Sequence, residues 1–307
     1  MAQGRFDLLL FADYSGAREE SAQRRAIALW RQESSGPARK VKEPFTRESL
    51  REHLLGELRS ETRRSRRVLF GIDHQWSWPR DLWAACGLGG LPWRSALKHL
   101  VTGEGARPPL GPPHVFPAAF NAFLGANVFY CPVASLARRY GLPLASDWSG
   151  EKRRLTERAT PGAKPATRLG GTGAVAGQTL HGLRELQKLL WDAARAGIPV
   201  RAWPFDLLAD DGQSHIGVEV YPTFCRPASV PKSDDSDARS CCTWAARADL
   251  ARVLDLSRAH SAVRRAALLE GWILGAPTSA GASSLPAAPE GSPGRGRRRQ
   301  SARGPRP

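Results

Sequence analysis

The stretch Val68-Leu69-Phe70-Gly71-Ile72-Asp73 is a short apolar run that ends on a carboxylate. An earlier run, Phe6-Asp7-Leu8-Leu9-Leu10-Phe11-Ala12-Asp13, ends in the same way. Runs that are apolar on both faces are typical of strands inside a parallel sheet. Ligand sites in such sheets lie beyond the carboxyl ends of the strands. The two runs therefore predict one site that contains both Asp13 and Asp73.

The segments between these two runs indicate the fold class. Ala26 to Gln32 and Lys40 to Glu43 predict two further strands, joined by the turn Ser34-Ser35-Gly36-Pro37. Thr46 is a good N-cap for a helix that continues to about Arg64. A strand, a hairpin, a helix and a strand in this order predict an α/β fold with a mixed sheet flanked by helices.

Regular patterns return in the last third of the chain. The predicted elements are a helix from Gln178 to Gly197, strands Val200 to Trp203 and Ile216 to Tyr221, and helices Cys241 to Leu256 and Ser261 to Leu274. Pro222 is expected to end the second of these strands. Residues 79–178 are rich in Pro and Gly, and they predict a large insertion over the active-site end of the sheet. Two helices are expected inside it, at Phe116 to Leu124 and Pro132 to Tyr140.

The predicted organisation is one domain, residues 1–276, followed by a basic tail at 277–307. Ala, Ser, Gly, Pro and Arg dominate the tail, so it is predicted to be disordered. The net charge of +16 favours polyanionic partners, and nucleic acid before others. Only seven of the 45 basic residues are Lys, and the tail alone carries five of the net positive charges. Both facts weaken the argument from charge.

The composition also indicates where in the cell the protein is located. No uncharged apolar stretch reaches the roughly 18 residues that a membrane span needs, so no membrane association is expected. The five cysteines form no CxxC pair, which favours reduced thiols and argues against a zinc site. These features predict a cytoplasmic protein.

Asp13 and Asp73 suggest metal chemistry if their strands are neighbours, about 4.8 Å apart. Hard cations such as Mg²⁺ prefer oxygen ligands, and two such ions assist in-line phosphoryl displacement. Glu219 is a lone carboxylate in an apolar strand, which is costly unless it is paired or binds a metal. Asp13, Asp73 and Glu219 are therefore the predicted metal ligands. The alternatives are turn or cap roles for the two aspartates and a solvent-facing edge position for Glu219.

Six stretches together carry a resemblance to a known family. They are Phe11-Ala12-Asp13-Tyr14-Ser15-Gly16-Ala17, Phe70-Gly71-Ile72-Asp73, Gly171-Thr172-Gly173-Ala174-Val175-Ala176-Gly177-Gln178-Thr179-Leu180, Arg201-Ala202-Trp203-Pro204-Phe205, Val218-Glu219-Val220-Tyr221-Pro222 and Glu270-Gly271-Trp272-Ile273-Leu274-Gly275. In this order they resemble a bacterial and archaeal family of predicted RNase H-like nucleases, domain-of-unknown-function family 429. The resemblance covers most of residues 5 to 275.

The resemblance implies an RNase H-like fold, in which an antiparallel three-strand start and a helix are followed by a fourth strand beside the first. It implies that Asp13 touches two metal ions, Mg²⁺ or Mn²⁺, and that Asp73 is a second ligand. Glu219 and Glu270 are the candidates for the remaining catalytic acids. The implied activity is metal-dependent hydrolysis of phosphodiester bonds in DNA or RNA.

Other residues near these motifs are candidate substrate contacts. Arg154 and Lys164 lie in a charged stretch and could hold phosphates, although a solvated loop is the alternative. Ser15 lies two residues after Asp13 and is a further candidate for contact with the same substrate. His74 is expected to be structural, with assistance to a leaving group as the alternative. Core packing or a lid is expected for Trp76 and Trp78, with base stacking as the alternative.

Three functions are carried forward from the sequence. The first is the metal-dependent nuclease. The second is an actin-like phosphotransferase or ATPase, because Gly170-Gly171-Thr172-Gly173 resembles a phosphate-binding turn, although Arg168-Leu169 stand where an Asp is expected. The third is a nucleic-acid or partner-binding protein without catalysis. A serine hydrolase has little support, since no G-x-S-x-G elbow is present.

Overall fold

The computed structural model describes residues 6–171 and 174–278. Its strands are β1 (Leu8–Asp13), β2 (Ala28–Glu33), β3 (Arg39–Lys40), β4 (Val68–Asp73), β5 (Val200–Ala202) and β6 (His215–Glu219). They form one six-stranded sheet in the order β3-β2-β1-β4-β6-β5. The predicted α/β class, with a mixed sheet flanked by helices, is confirmed.

The centre of the sheet brings the two aspartate-ending strands together. β1 pairs with β2 in antiparallel orientation and with β4 in parallel orientation. β6 continues the parallel part, with β4 on one side and β5 on the other. In the register between β1 and β4, Asp13 lies directly opposite Asp73. The two carboxylates therefore leave the sheet at the same edge and the same level.

Twelve helices surround the sheet within the described residues. They are α1 (Glu20–Ala26), α2 (Arg47–Arg63), α3 (Arg80–Ala85), α4 (Trp93–Thr102), α5 (Phe116–Leu124), α6 (Ala134–Tyr140), α7 (Leu155–Arg158), α8 (Ala176–Arg195), α9 (Pro222–Cys225), α10 (Asp234–Arg247), α11 (Leu250–Val253) and α12 (Ser261–Glu270). The predicted N-cap of α2 is confirmed, because the Thr46 hydroxyl accepts a hydrogen bond from the backbone N–H of Ser49.

Several element boundaries differ from those predicted. α1 was not predicted, and β3 is shorter than expected. The helix predicted from Cys241 begins earlier, at Asp234, because Ser233 caps it by accepting from the N–H of Ser236. The strand predicted to end at Pro222 ends at Glu219, and Pro222 instead opens α9. The predicted tail lies outside the described residues from position 279 onward.

The two faces of the sheet are covered by separate apolar layers. Leu10, Phe70 and Ile72 face a layer that includes residues of α2 and α8. Phe11 and Val218 face the layer that contains residues of α10 and α12. Strict alternation along each strand assigns the side chains to these two layers.

The insertion between β4 and α8 carries five short helices, α3 to α7. Trp78 packs there against Trp83, Phe116 and Phe120, with ring centroids 5.3 to 6.3 Å apart. Trp76 and Trp78 are fully buried, so core packing is confirmed and base stacking is wrong.

Two further expectations concern chemistry and membranes. All five cysteines carry free thiols and all are buried. Among the described residues, no helix combines the length and the apolar character that crossing a bilayer requires.

Candidate active site

Asp13 and Asp73 open into a cavity of about 500 Å³ at the carboxyl ends of β1, β4 and β6. Asp13 is buried, with 7% of its surface exposed, and Asp73 is partly exposed. The two residues are register partners in the pairing of β1 with β4, and each influences the pKa of the other. The side-chain amide of Gln178 donates to the backbone carbonyl of Asp73 at 2.8 Å, which ties α8 to the end of β4.

The environment of the pair disfavours two negative charges. Burial first, and then the Asp73 carboxylate, raise the pKa of Asp13 well above its ordinary value of 3.8. Burial also raises the pKa of Asp73, and the negative charges of Glu219 and Asp237 add to that rise. Two close carboxylates in a partly desolvated cavity are stabilised by a shared proton or by a cation.

The first turn of α10 adds two acids that sequence reasoning missed. Asp234 and Asp237 line the same cavity, and both raise the pKa of Asp13. Asp237 is buried and lies 2.6 Å from the Nε of Arg226, which partly neutralises it. A sequence signal was present, because Ser233 followed by acidic residues marks a helix N-terminus.

Glu219 also reaches this cavity, but its carboxylate is already occupied. Both of its oxygens accept hydrogen bonds from the guanidinium of Arg154, one of them at 2.7 Å. The backbone N–H of Trp76 donates to the same carboxylate at 2.9 Å. The role of Glu219 as a metal ligand stays a prediction, and the structure shows its carboxylate paired with a buried cation of the protein itself.

The sheet register explains why Glu219 differs from the aspartates. Glu219 lies opposite Ile72 in the pairing of β6 with β4, so it projects on the face of Phe70 and Ile72. Asp13 is two residues from Phe11 and four from Leu9, so it projects on the same face as they do, which is opposite to the face of Glu219. Glu219 therefore reaches the cavity from the other face of the sheet, and its charge still raises the pKa of Asp73.

The structure contradicts the prediction that Arg154 contacts a phosphate. Its side chain is fully buried. It donates to Glu157 at 2.6 Å and to the backbone carbonyl of Glu270 at 3.1 Å, in addition to its contacts with Glu219. Glu157, which lines the cavity, has its pKa raised to about 7, chiefly by burial. The cation is thus a structural link between α7, β6 and the end of α12.

The structure also contradicts the predicted role of Glu270. Its carboxylate accepts hydrogen bonds from the backbone N–H groups of Arg80 at 2.8 Å and Leu155 at 2.7 Å. It caps the starts of α3 and α7 and does not line the cavity with Asp13. The resemblance-based assignment of Glu270 as a catalytic acid is therefore replaced by a structural role.

Ser15 and Lys164, the other predicted substrate contacts, both line the cavity. The Ser15 hydroxyl accepts from the N–H of Ala17 at 3.1 Å, and Lys164 is partly exposed. His74 lies in the same wall, but its Nδ1 donates to the carbonyl of Gln75 at 3.0 Å. Burial lowers the pKa of His74 to about 4, so its imidazole is neutral at pH 7.

The donor set fits a hard divalent cation at the aspartate pair. Mg²⁺ commonly takes one or two protein carboxylates and completes its shell with water and substrate oxygens. Asp13 and Asp73 supply such a pair, and their excess negative charge favours a cation. Among the described residues, no group of three or more His, Cys, Asp or Glu side chains is arranged to hold a metal.

The glycine-rich turn that suggested a nucleotide-binding function lies at the edge of the described residues. Gly170 and Gly171 adopt positive φ angles of 67° and 77°, while Thr172 and Gly173 lie outside the described residues. The phosphotransferase alternative stays a prediction.

Comparisons with protein-family models, with curated proteins and with solved structures found no match for this chain.

Proposed function

We propose that this protein is a metal-dependent nuclease with an RNase H-like core. The observation that carries the proposal is the placement of Asp13 directly opposite Asp73, at the carboxyl ends of adjacent parallel strands, in the wall of one cavity. Carboxylate pairs of this kind serve phosphoryl displacement by holding a divalent cation against the substrate. The cavity is large enough for a nucleotide unit, since ligand sites span about 300–1,000 Å³.

The order of the first four strands supports the RNase H-like assignment. β1, β2 and β3 form an antiparallel unit, α2 follows, and β4 lies beside β1. This is the arrangement that the sequence resemblance implies. The later strands, β5 and β6, extend the sheet on the β4 side.

The proposed mechanism gives each group at the cavity a role. Asp13 and Asp73 would hold Mg²⁺ or Mn²⁺, which when bound neutralises phosphate charge and lowers the pKa of a coordinated water. Asp234 and Asp237 supply further acceptors for water at the same wall. Lys164 lines the cavity and is partly exposed, so its ammonium group can meet a phosphate oxygen.

The first test is cleavage of labelled single-stranded, double-stranded and branched DNA and RNA with Mg²⁺ or Mn²⁺. Wild type is compared with Asp13→Asn and with the control Asp249→Asn. Asp249 is exposed and caps α11, and asparagine also serves as an N-cap. We expect Asp13→Asn to lose at least about 100-fold of the rate, because it removes a ligand of the cation. Asp249→Asn should cleave like wild type.

Cation binding is measured separately by thermal denaturation with and without Mn²⁺. A cation held at 100 times its Kd stabilises the folded state by about 2.7 kcal/mol. We expect this stabilisation in wild type and in Asp249→Asn, and its loss in Asp13→Asn. Equal background cleavage by all three proteins, together with equal Mn²⁺ shifts, would remove the nuclease proposal.

Binding of nucleic acid without hydrolysis is the second candidate function. The specific observation in its favour is the ion pair between Arg154 and Glu219, which leaves the aspartate pair without a third strand acid. This candidate predicts that wild type binds oligonucleotides as tightly as Asp13→Asn and that neither cleaves them.

A further inference from the structure

A second cavity, of about 510 Å³, lies beside the aspartate cavity. Gly16, Ala174 and Gln178 line both cavities, so the two spaces are separated by one shared wall. The wall is thin because Gly16 carries no side chain at its closest approach to α8. A Cβ added at Gly16 would lie 2.9 Å from the backbone nitrogen of Gln178.

The two cavities differ in charge. The first contains the aspartate pair and the acids of α10. The second is lined by two arginines, two histidines and one glutamate among the described residues: Arg18, Arg139, His114, His181 and Glu19. The arginines and histidines come from four separate segments of the chain, including α6 and α8. Their convergence is therefore a property of the fold and not of one basic run.

The positive charge of the second cavity is poorly compensated. Arg18 pairs with Glu19 at 3.9 Å, but both side chains are largely exposed, and such pairs contribute little. Arg139 is exposed and has no ion-pair partner within residues 6–171 and 174–278. Burial first, and then the neighbouring positive charges, lower the pKa of His181 to about 3, so its imidazole is neutral at pH 7 and the charge argued for this cavity is that of its arginines.

We propose that this second cavity binds a phosphate of the nucleic-acid strand that flanks the scissile bond in the aspartate cavity. The inference rests on the proposed nuclease function. A phosphodiester strand carries a charge at every nucleotide, so one strand can place a phosphate at the cation in the first cavity and another against Arg139. The shared wall of Gly16, Ala174 and Gln178 lies between these two phosphates.

Arg138 and Arg139 provide a matched pair for the test. Both are exposed arginines in the last turn of α6. Arg139 lines the second cavity, whereas Arg138 lines a separate surface groove with Leu142 and Leu144. Arg138→Ala and Arg139→Ala therefore remove the same charge from the same helix at positions with different environments.

The measurement is fluorescence anisotropy of labelled single-stranded DNA and RNA oligonucleotides in Ca²⁺ across a range of salt concentrations. We expect Arg139→Ala to weaken binding about 5-fold, with a salt slope that is lower by about 0.7 to 1. Arg138→Ala should match wild type. Comparison of the DNA and RNA oligonucleotides shows which type of nucleic acid supplies the phosphate.

The outcomes separate this inference from the nuclease proposal. Equal affinity and equal salt slope for the two arginine variants would overturn the second site while leaving the cleavage test unaffected. The absence of oligonucleotide binding by wild type would also overturn it. Loss of cleavage in Asp13→Asn together with unchanged binding in Arg139→Ala would confirm the nuclease and reject the phosphate site.

Discussion

At the scale of single residues, three acids at the same end of the sheet differ in the groups that they contact. Asp13 and Asp73 face each other, whereas Glu219 is held by Arg154. The guanidinium of Arg154 is fully buried and also serves Glu157. Removal of this one cation would leave two buried carboxylates unpaired.

We predict that Arg154→Ala lowers the free energy of unfolding by about 3–5 kcal/mol, the usual cost of breaking a buried ion pair on one side. Urea denaturation measures this effect. The control is Arg153→Ala, which removes an exposed neighbouring charge and should stay within about 0.5 kcal/mol of wild type. If Arg154 held a phosphate instead, Arg154→Ala would keep its stability and lose affinity for oligonucleotides.

The aspartate pair gives a pH-dependent prediction. The folded state raises the pKa of Asp13 and of Asp73 above the ordinary value of 3.8, by burial first and by negative neighbours second. The folded protein therefore holds these protons more tightly than the unfolded chain. Below pH 3.8 the pair costs no stability, and its cost grows as the pH rises from there through neutrality.

Asp13→Asn removes a buried carboxyl that must take up a proton on folding at pH 8, because its pKa in the folded state is raised to about 10. We therefore expect it to raise the melting temperature at pH 8 in the absence of divalent cations, by about 2–4 °C for each kcal/mol of this cost that is relieved. The gain should vanish near pH 4, where the wild-type pair is protonated. A melting temperature that falls at pH 8 relative to wild type would contradict this electrostatic account.

The sequence predicted the residues of the site better than their roles. Asp13 and Asp73 were predictable because each ends an apolar run. The pairing of Glu219 with Arg154 was not, because those two residues are brought together only by the packing of α7 against the end of β6. The face that Glu219 occupies depends on the register of β4 and β6, which no local pattern encodes.

At the scale of elements, the contact between the β1–α1 loop and the start of α8 positions both cavities. Gly16 makes this contact possible, because a Cβ there would meet the backbone of Gln178 and Gly177 at 2.9 and 3.3 Å. Backbone atoms cannot rotate away as a flexible side chain can. The loop or the helix would have to shift to accept a larger residue.

We predict that Gly16→Ala lowers the free energy of unfolding by about 1–3 kcal/mol, as overpacking usually does. Gly56→Ala is the matched control, because Gly56 lies inside α2 and a Cβ there has open space around it. Alanine is the better helix former, so Gly56→Ala should stabilise by about 0.5–1 kcal/mol. Equal effects of the two substitutions in urea denaturation would show that the loop tolerates the added methyl group.

Element predictions succeeded where a local rule was strong. Capping predicts the start of α2 at Thr46. Periodicity predicts the apolar strands β1 and β4 and the helix α8, which was expected from Gln178. The predicted start of α10 was Cys241, seven residues too late, because the prediction followed the apolar residues of the helix and not its N-cap, Ser233. The arrangement of α3 to α7 depends on aromatic contacts between positions that are distant in sequence, such as Trp78 and Phe129, and local rules do not predict such contacts.

At the scale of the whole molecule, two of its basic regions have different expected uses. The second cavity places arginines beside the aspartate cavity. The tail beyond residue 279 carries six further arginines, which are Arg295, Arg297, Arg298, Arg299, Arg303 and Arg306. Charges without a defined partner attract any polyanion, whereas a cavity selects for the position of a phosphate.

We predict that replacing the six tail arginines by glutamine in the full chain weakens binding to DNA, RNA and heparin alike. The salt slope should fall by up to about 0.7 for each lost contact with a single strand. The melting temperature should stay unchanged, because the composition of the tail offers little apolar surface to bury. The additional effect of Arg139→Ala should persist in this background, since sites without shared partners act additively. A tail variant that erased the difference between Arg138→Ala and Arg139→Ala would instead make the tail the partner of the second cavity.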